Sequence, residues 1–286
     1  MISIAFFSHF FSLFSVCSLW VFEKKRFAIM AIATSIICAV LTSVISPKAL
    51  FIITIYFLAN YLFFRAPVRP FSKAMLGIMI FVISWLLASH MVSGFISWQI
   101  VNEEQISDGG EKYSLYLNMD KVIAGVGIMI FALVPLRRSI HIRNMIIKML
   151  PSTMLAISIV AFAGIVMKVV SFDPKFPDLW ITWIIISLLV HCVAEEALFR
   201  LFLQGGIQNI LSTYKYASVI SILISSAAYT AYMFPGSTNF LAAVFVGNLF
   251  FGYVYYKTQR VEASILLHFI INLIHFFFFT YPSLSQ

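Results

Sequence analysis

About ten apolar stretches follow one another along this chain, and each is near the length of about 20 residues that a helix needs to cross a bilayer. The residues are 62% hydrophobic and 10% charged, with a mean hydropathy of +0.98. Soluble domains carry about 25% charged residues. The sequence therefore predicts an all-α fold, a polytopic transmembrane helical bundle of about ten spans. The predicted spans are 3–22, 27–46, 49–64, 74–97, 121–136, 149–170, 180–202, 217–234, 240–256 and 263–281.

The net charge of +8 does not indicate nucleic-acid binding, because the basic residues cluster in alternate loops. Basic clusters occupy 24–26, 65–73 and 137–148, whereas the sizeable polar loop 98–120 is acidic. Cytoplasmic loops carry an excess of Lys and Arg, so the alternation predicts both termini outside. We expect an integral, multi-pass protein of the plasma (inner) membrane with membrane lipid, and no nucleic acid, as a partner.

The polar groups that fall within predicted spans divide the chain into two parts. Residues 1–148 are hydrophobic transmembrane helices of unknown role, without an interpretable motif. Residues 149–286 hold all the polar groups that we place inside the membrane. The two parts show no repeat of each other, which counts against a transporter built from inverted repeats.

Two adjacent carboxylates, Glu195 and Glu196, interrupt the apolar run 180–202. An ionisable side chain inside the bilayer costs several kcal/mol unless it is paired or hydrated, so it predicts a functional site. Glu196 precedes Arg200 by four residues, the favourable spacing and order for an ion pair on a helix. Glu195 lies about 100° from Glu196 around the helix, and His191 lies four residues before Glu195 on the same face. This placement of Glu195 suits a general base. Alternatively, both carboxylates mark the end of a span and reach the headgroups.

A second polar stripe lies on the last predicted span. His268, Asn272 and His275 share one face of an otherwise apolar helix. An imidazole and an amide on one stripe can donate hydrogen bonds to a developing oxyanion. The alternative is that His268 and Asn272 bond neighbouring helices, as such residues commonly do in bilayers. His275 is interpreted as structural or interfacial.

Taken together, these motifs resemble those of the CAAX-protease and bacteriocin-processing (CPBP, or Abi) family of intramembrane endopeptidases. Glu195-Glu196-x-x-x-Arg200 is similar to the first family motif, and His268-x-x-x-Asn272 to a later one. The resemblance implies that Glu195 activates water for attack on a peptide carbonyl, supported by Glu196 and Arg200. It also implies that His268 and Asn272 stabilise the oxyanion, and that 149–286 is the protease core. The implied partner is a membrane-associated peptide or protein substrate.

The sequence departs from this family at its middle motif, Phe-x-x-x-His, where Tyr229 and Met233 stand. A thioether cannot accept a proton from water as an imidazole does. His191 or His275 would have to substitute for the missing group. Otherwise the chain is an inactive family member that acts as a membrane scaffold, regulator or immunity protein.

A zinc site and a transporter are two further alternatives for these polar groups. A zinc site needs three or four ligands, and His191, Glu195 and His268 supply candidates. Because the H-E-x-x-H spacing is absent and the middle His is missing, we predict no metal and no cofactor. A transporter that uses the Glu, Arg and His groups as a proton relay is the remaining alternative.

Overall fold

The computed structural model describes residues 4–20, 24–132 and 139–285, and these residues form an all-α bundle with one small two-stranded sheet. The prediction of an all-α membrane bundle is confirmed. The elements are α1 (Ile4–Trp20), α2 (Lys25–Leu41), α3 (Pro47–Arg65), α4 (Pro70–Ala88), β1 (Trp98–Glu104), β2 (Tyr113–Leu117), α5 (Met119–Ala132), α6 (Ser139–Val166), α7 (Trp180–Ile210), α8 (Ala217–Tyr232), α9 (Thr238–Thr258) and α10 (Val261–Phe278).

Six of these helices are long and apolar enough to cross a membrane within the described residues. They are α3, α4, α6 from Ile142, α7, α9 and α10. Two shorter apolar helices, Ile4–Leu19 and Ala217–Tyr232, also coincide with predicted spans. Helices satisfy all their backbone hydrogen bonds internally, which is why apolar sequences of this length adopt them in lipid.

Two segments that the sequence predicted to be loops contain secondary structure. The polar segment 98–120 contains the sheet of β1 and β2, and residues 139–148 belong to α6 rather than to a basic loop. Hydropathy detects the part of a helix that lies in lipid, so it misses a polar extension such as the one with Arg143 and Lys148. Arg137 and Arg138, also assigned to that loop, lie outside the described residues.

The chain packs into two compact units, each built from separate stretches of sequence. The first unit contains Met1–Trp98, Leu117–Arg137 and Leu189–Phe202, and the second contains Gln99–Tyr116, Arg138–Leu188 and Leu203–Gln286. The division into an N-terminal part (1–148) and a protease core (149–286) concerns function, and it stays a proposal.

Helix α5 is the centre of the first unit, where it packs against α1, α2, α3 and α4. Its residues from Met119 to Ile130 are all buried, including the charged Asp120 and Lys121. From Val122 onward the helix is apolar all round, which is typical of a buried helix. Tyr56 of α3 donates a hydrogen bond to the Ala124 carbonyl at 2.6 Å and accepts one from Ser84 of α4 at 2.9 Å. A Cβ at Gly127 would lie 2.2 Å from the Tyr56 ring, so only glycine allows this contact.

In the second unit, a buried amide joins three helices. The Gln204 side chain of α7 donates to the Gly252 carbonyl of α9 at 2.8 Å. Its oxygen accepts from the Ser225 hydroxyl of α8 at 3.3 Å. Amides commonly hydrogen-bond across helices in bilayers, and this one fixes α8 and α9 against the same turn of α7.

The segment that follows α6 is bonded to the C-terminal tail. The Thr280 amide donates to the Ser171 carbonyl at 2.9 Å, and the Asp173 amide donates to the Phe278 carbonyl at 2.8 Å. On α7, the Trp183 ring stacks on Phe276 of α10 with centroids 4.1 Å apart. These contacts join α6, α7 and α10 at one end of the second unit.

Asp173 makes the stability of this end dependent on pH. The Ser107 hydroxyl and then the Lys175 ammonium lower the pKa of Asp173 below its usual value. Its contribution to stability is therefore present above the ordinary carboxyl pKa and is lost as pH falls through the lowered pKa. We expect Asp173→Asn to lower the thermal midpoint at neutral pH and to change it little in acid. Equal effects at both pH values would contradict this.

Candidate active site

The two candidate carboxylates lie on an irregular part of α7. Val193–Glu196 is a short α-helical stretch between two π-helical stretches, Ser187–Cys192 and Ala197–Gln204. Such π-helical turns are rare and are frequently found at functional sites. The sequence gives no signal for them, because both stretches have the apolar composition of an ordinary transmembrane helix.

Glu196 and Arg200 form the predicted ion pair. Arg200 Nε donates to Glu196 Oε2 at 3.1 Å, and both side chains are 0% exposed. Glu195 is also buried. Because all three groups are enclosed by protein, the alternative that the carboxylates reach the lipid headgroups is wrong. Removing one partner of a pair buried this deeply is strongly destabilising.

Glu195 has a charge partner that the sequence did not suggest, Lys121 of α5. Lys121 Nζ donates to Glu195 Oε1 at 2.6 Å and contacts His191 Nδ1 at 3.0 Å. The Lys121 and Glu195 side chains are 6% and 5% exposed. Lys121 therefore joins the carboxylate to the imidazole that we expected on the same helix face.

The expectation that every polar group inside the membrane lies after residue 149 stays a prediction, but buried Lys121 shows that the first 148 residues also supply a charged group to this site. Lys121 is the first residue of a predicted span, a position at which a lysine usually reaches water. It is buried because neighbouring helices cover α5 on every side. Gly125, one turn after Lys121, was the available signal in the sequence for this close packing of α5, because small residues mark close contacts between helices.

Gly125 sets the distance between α5 and the carboxylate segment. A Cβ at this position would lie 2.8 Å from Ala194 Cα. We expect Gly125→Ala to separate the two backbones, to cost about 1–3 kcal/mol of stability as overpacking does, and to lower any cleavage activity. Thermal unfolding and activity measurements check this. Gly206→Ala is the control, because its Cβ would meet nothing within 4 Å; equal effects of the two variants would contradict the prediction.

His268 and Asn272 lie on α10, in the second unit. His268 is 4% exposed and stacks on the Phe251 ring with centroids 4.7 Å apart. The Tyr229 ring meets the imidazole edge-on at 6.0 Å. Asn272 follows one turn later and is half-buried. The aromatic contacts restrict the orientation of the imidazole, and the oxyanion role of both residues stays a prediction.

Met233 stands where the family's middle motif has His, and His275 is one of the two residues that could substitute for that imidazole. Met233 caps the C-terminal end of α8 and is half-buried. His275 Nε2 lies 3.1 Å from the Thr280 carbonyl, so this nitrogen carries the proton and donates. The His275 ring also contacts the Tyr281 ring at 5.1 Å. These contacts support a structural role for His275 in holding the C-terminal tail.

Metal ligation has no geometric support in the part of the chain that the structure describes. Among those residues, no group of three His, Cys, Asp or Glu side chains could hold a metal ion. Cys192 is buried, Cys17 and Cys38 are half-buried, and none of the three forms a disulfide. The absence of a metal and of a cofactor stays a prediction.

The chain was compared with protein families, curated proteins and solved structures. Neither the curated proteins nor the solved structures contain a significant match to the chain. The family model described as Type II CAAX prenyl endopeptidase Rce1-like matches residues 177–274. This segment carries both candidate motifs, from Glu195 to Asn272. The resemblance to the CPBP endopeptidase family is therefore confirmed over residues 177–274 of this multi-pass membrane protein.

Proposed function

We propose that this chain is an intramembrane endopeptidase that hydrolyses a peptide bond of a membrane-associated protein or peptide, with Glu195 as the general base. The observation that carries the proposal is a buried Glu195, paired with Lys121, inside the segment that matches the endopeptidase family. A group of this kind inside a membrane bundle is a functional-site candidate by its cost alone. We place the protein in the plasma (inner) membrane.

The proposed reaction is amide hydrolysis by water. Glu195 accepts a proton from water while the water oxygen attacks the substrate carbonyl carbon, and the carbonyl oxygen becomes an oxyanion. His268 and Asn272 donate hydrogen bonds to this oxyanion. When the C–N bond breaks, the proton passes from Glu195 to the leaving amine. A carboxylate has about four acceptor sites, and the bond from Lys121 occupies one of them.

Cleavage by the reconstituted full-length protein tests the proposal. The probe is a fluorescence-quenched peptide that ends in a CAAX sequence, offered with and without a farnesyl group on its cysteine. The name of the matched family motivates this probe. We expect time-dependent cleavage in proteoliposomes, with the new peptide ends identified by mass spectrometry. Liposomes with the Glu195→Ala variant, purified in folded form, serve as the control.

Met233 favours a second candidate function, that of a non-catalytic scaffold, regulator or immunity protein. The family places His at this position, and a thioether cannot accept a proton in its place. A scaffold keeps its cellular phenotype when Glu195 is replaced by Ala and the protein still folds. An endopeptidase loses its phenotype under the same replacement, so this single variant separates the two candidates.

Replacing His268 tests the oxyanion role. Loss of one oxyanion donor costs about 10²–10³-fold in kcat in a well-studied hydrolase, so we expect His268→Ala to reduce kcat by this order. His275→Ala is the matched control on the same helix. It should lower the thermal midpoint through loss of the Thr280 contact and leave kcat near its original value. Equal losses of kcat in both variants would contradict the assignment.

A further inference from the structure

We infer that Lys121 is a positioning residue for Glu195, which holds the carboxylate ionised and fixes its orientation. The importance of this positioning for catalysis rests on the proposed function. The existence of the ion pair does not rest on the proposed function, because the pair is a feature of the first unit alone. Residues 1–148 carry no interpretable motif, and Lys121 is thus their contribution to the chemistry of α7.

The geometry of the pair restricts the carboxylate. Lys121 Nζ lies 2.6 Å from Glu195 Oε1, a short, charge-assisted hydrogen bond, and the two side chains are almost fully buried. A buried carboxylate without a partner would leave an uncompensated charge, which takes up a proton instead. The ammonium group therefore maintains the form of Glu195 that can act as a base.

The backbone of α5 holds Lys121 in place. The Lys121 amide donates to Asp120 Oδ1 at 2.8 Å, and Asp120 Oδ2 lies 2.9 Å from His90 Nδ1. One turn later, Gly125 packs directly on the Ala194 backbone, beside Glu195. Lys121 therefore reaches the carboxylate from a helix whose position is fixed at both of these points.

The same lysine defines the state of His191. An ammonium group only donates hydrogen bonds, so His191 Nδ1 must accept at the observed 3.0 Å, and the proton of the neutral ring lies on Nε2. In this arrangement neither ring nitrogen can take a proton from water without breaking the contact. His191 is then a poor substitute for the imidazole that Met233 replaces. Lys121 supports Glu195 instead.

Carbodiimide labelling tests the inference without a substrate. Dicyclohexylcarbodiimide enters membranes and reacts with a protonated carboxylic acid much faster than with a carboxylate. We expect little labelling of Glu195 in the original protein and labelling increased about tenfold or more in Lys121→Met, measured by fragment-ion mass spectrometry. Glu196, which keeps its Arg200 partner, is the internal control, and its labelling should not change.

Two more variants complete the design. Lys121→Arg keeps the charge and should keep Glu195 labelling low. Lys112→Met removes the exposed partner of Glu103 and should change nothing at Glu195. The inference is overturned if Lys121→Met leaves Glu195 labelling unchanged, or if Glu195 and Glu196 become labelled together, since that would indicate general loosening.

A stability measurement covers the case in which Lys121→Met does not fold. Adding Glu195→Gln to Lys121→Met removes both charges, and we expect the double variant to recover folded protein that Lys121→Met alone loses. No recovery would overturn the inference. Failure of the proposed function would be seen in a separate experiment, as cleavage that persists in Glu195→Gln. That outcome would not change the labelling result on Lys121.

Discussion

Glu195→Gln is expected to reduce peptide cleavage by about 10³-fold or more while the protein stays folded. General base catalysis contributes about 10²–10⁴-fold to rates, and an amide of the same shape cannot accept a proton from water. The measurement is kcat in proteoliposomes with the quenched peptide. KM should change far less, because the carboxylate acts on water rather than on substrate binding.

The control for this variant is Glu103→Gln, which removes a carboxylate of the exposed pair with Lys112. It should leave kcat unchanged. If Glu195→Gln cleaves at the original rate, the hydrolase proposal fails and the scaffold interpretation gains. If both variants lose activity equally, the loss reflects charge or folding rather than the site.

Arg200→Met is expected to have the largest effect on stability. It leaves the Glu196 carboxylate without the Nε partner, at a position where both side chains are 0% exposed. Removing one member of a buried ion pair costs about 3–5 kcal/mol. The free energy of unfolding, measured in mild detergent with increasing denaturant, should fall by this amount.

Removing both members of the pair separates the effect of charge on stability from the effect of packing. Replacing buried ion pairs with apolar side chains of similar volume is often neutral, so Glu196→Met with Arg200→Met should recover most of the lost stability. Lys112→Met, in the exposed pair, should cost about 0–1 kcal/mol. A double variant as unstable as Arg200→Met alone would mean that the shape of the Arg200 side chain, and not its charge, matters.

The sequence predicted the helices, and it predicted the partner of Glu196 but not that of Glu195, because helices and the Glu196–Arg200 pair depend on local patterns. Long apolar runs require helices in lipid whatever surrounds them. The pairing of Glu196 with Arg200 follows from a four-residue spacing on one helix. It survives although a π-helical stretch begins at Ala197, because the two side chains are close along the chain.

The partner of Glu195 depends on which helices pack together, and composition does not give this. Lys121 was interpreted as the start of a span because hydropathy treats each helix alone. Its burial follows from the packing of α5 among α1 to α4 and against the segment that contains Ala194. The start of α6 at Ser139 was missed for a related reason, since a helix can continue beyond the lipid that hydropathy detects.

The Lys121–Glu195 pair also constrains how the protein is synthesised. The amine leaves the ribosome 74 residues ahead of the carboxylate that neutralises it. During that interval it must stay hydrated at the membrane surface, because an unpaired ammonium is costly in hydrocarbon. We therefore expect α5 to become enclosed late in biogenesis, after α7 enters the bilayer. Amine-reactive reagents should modify Lys121 in nascent chains that stop before α7 and should not reach it in the finished protein.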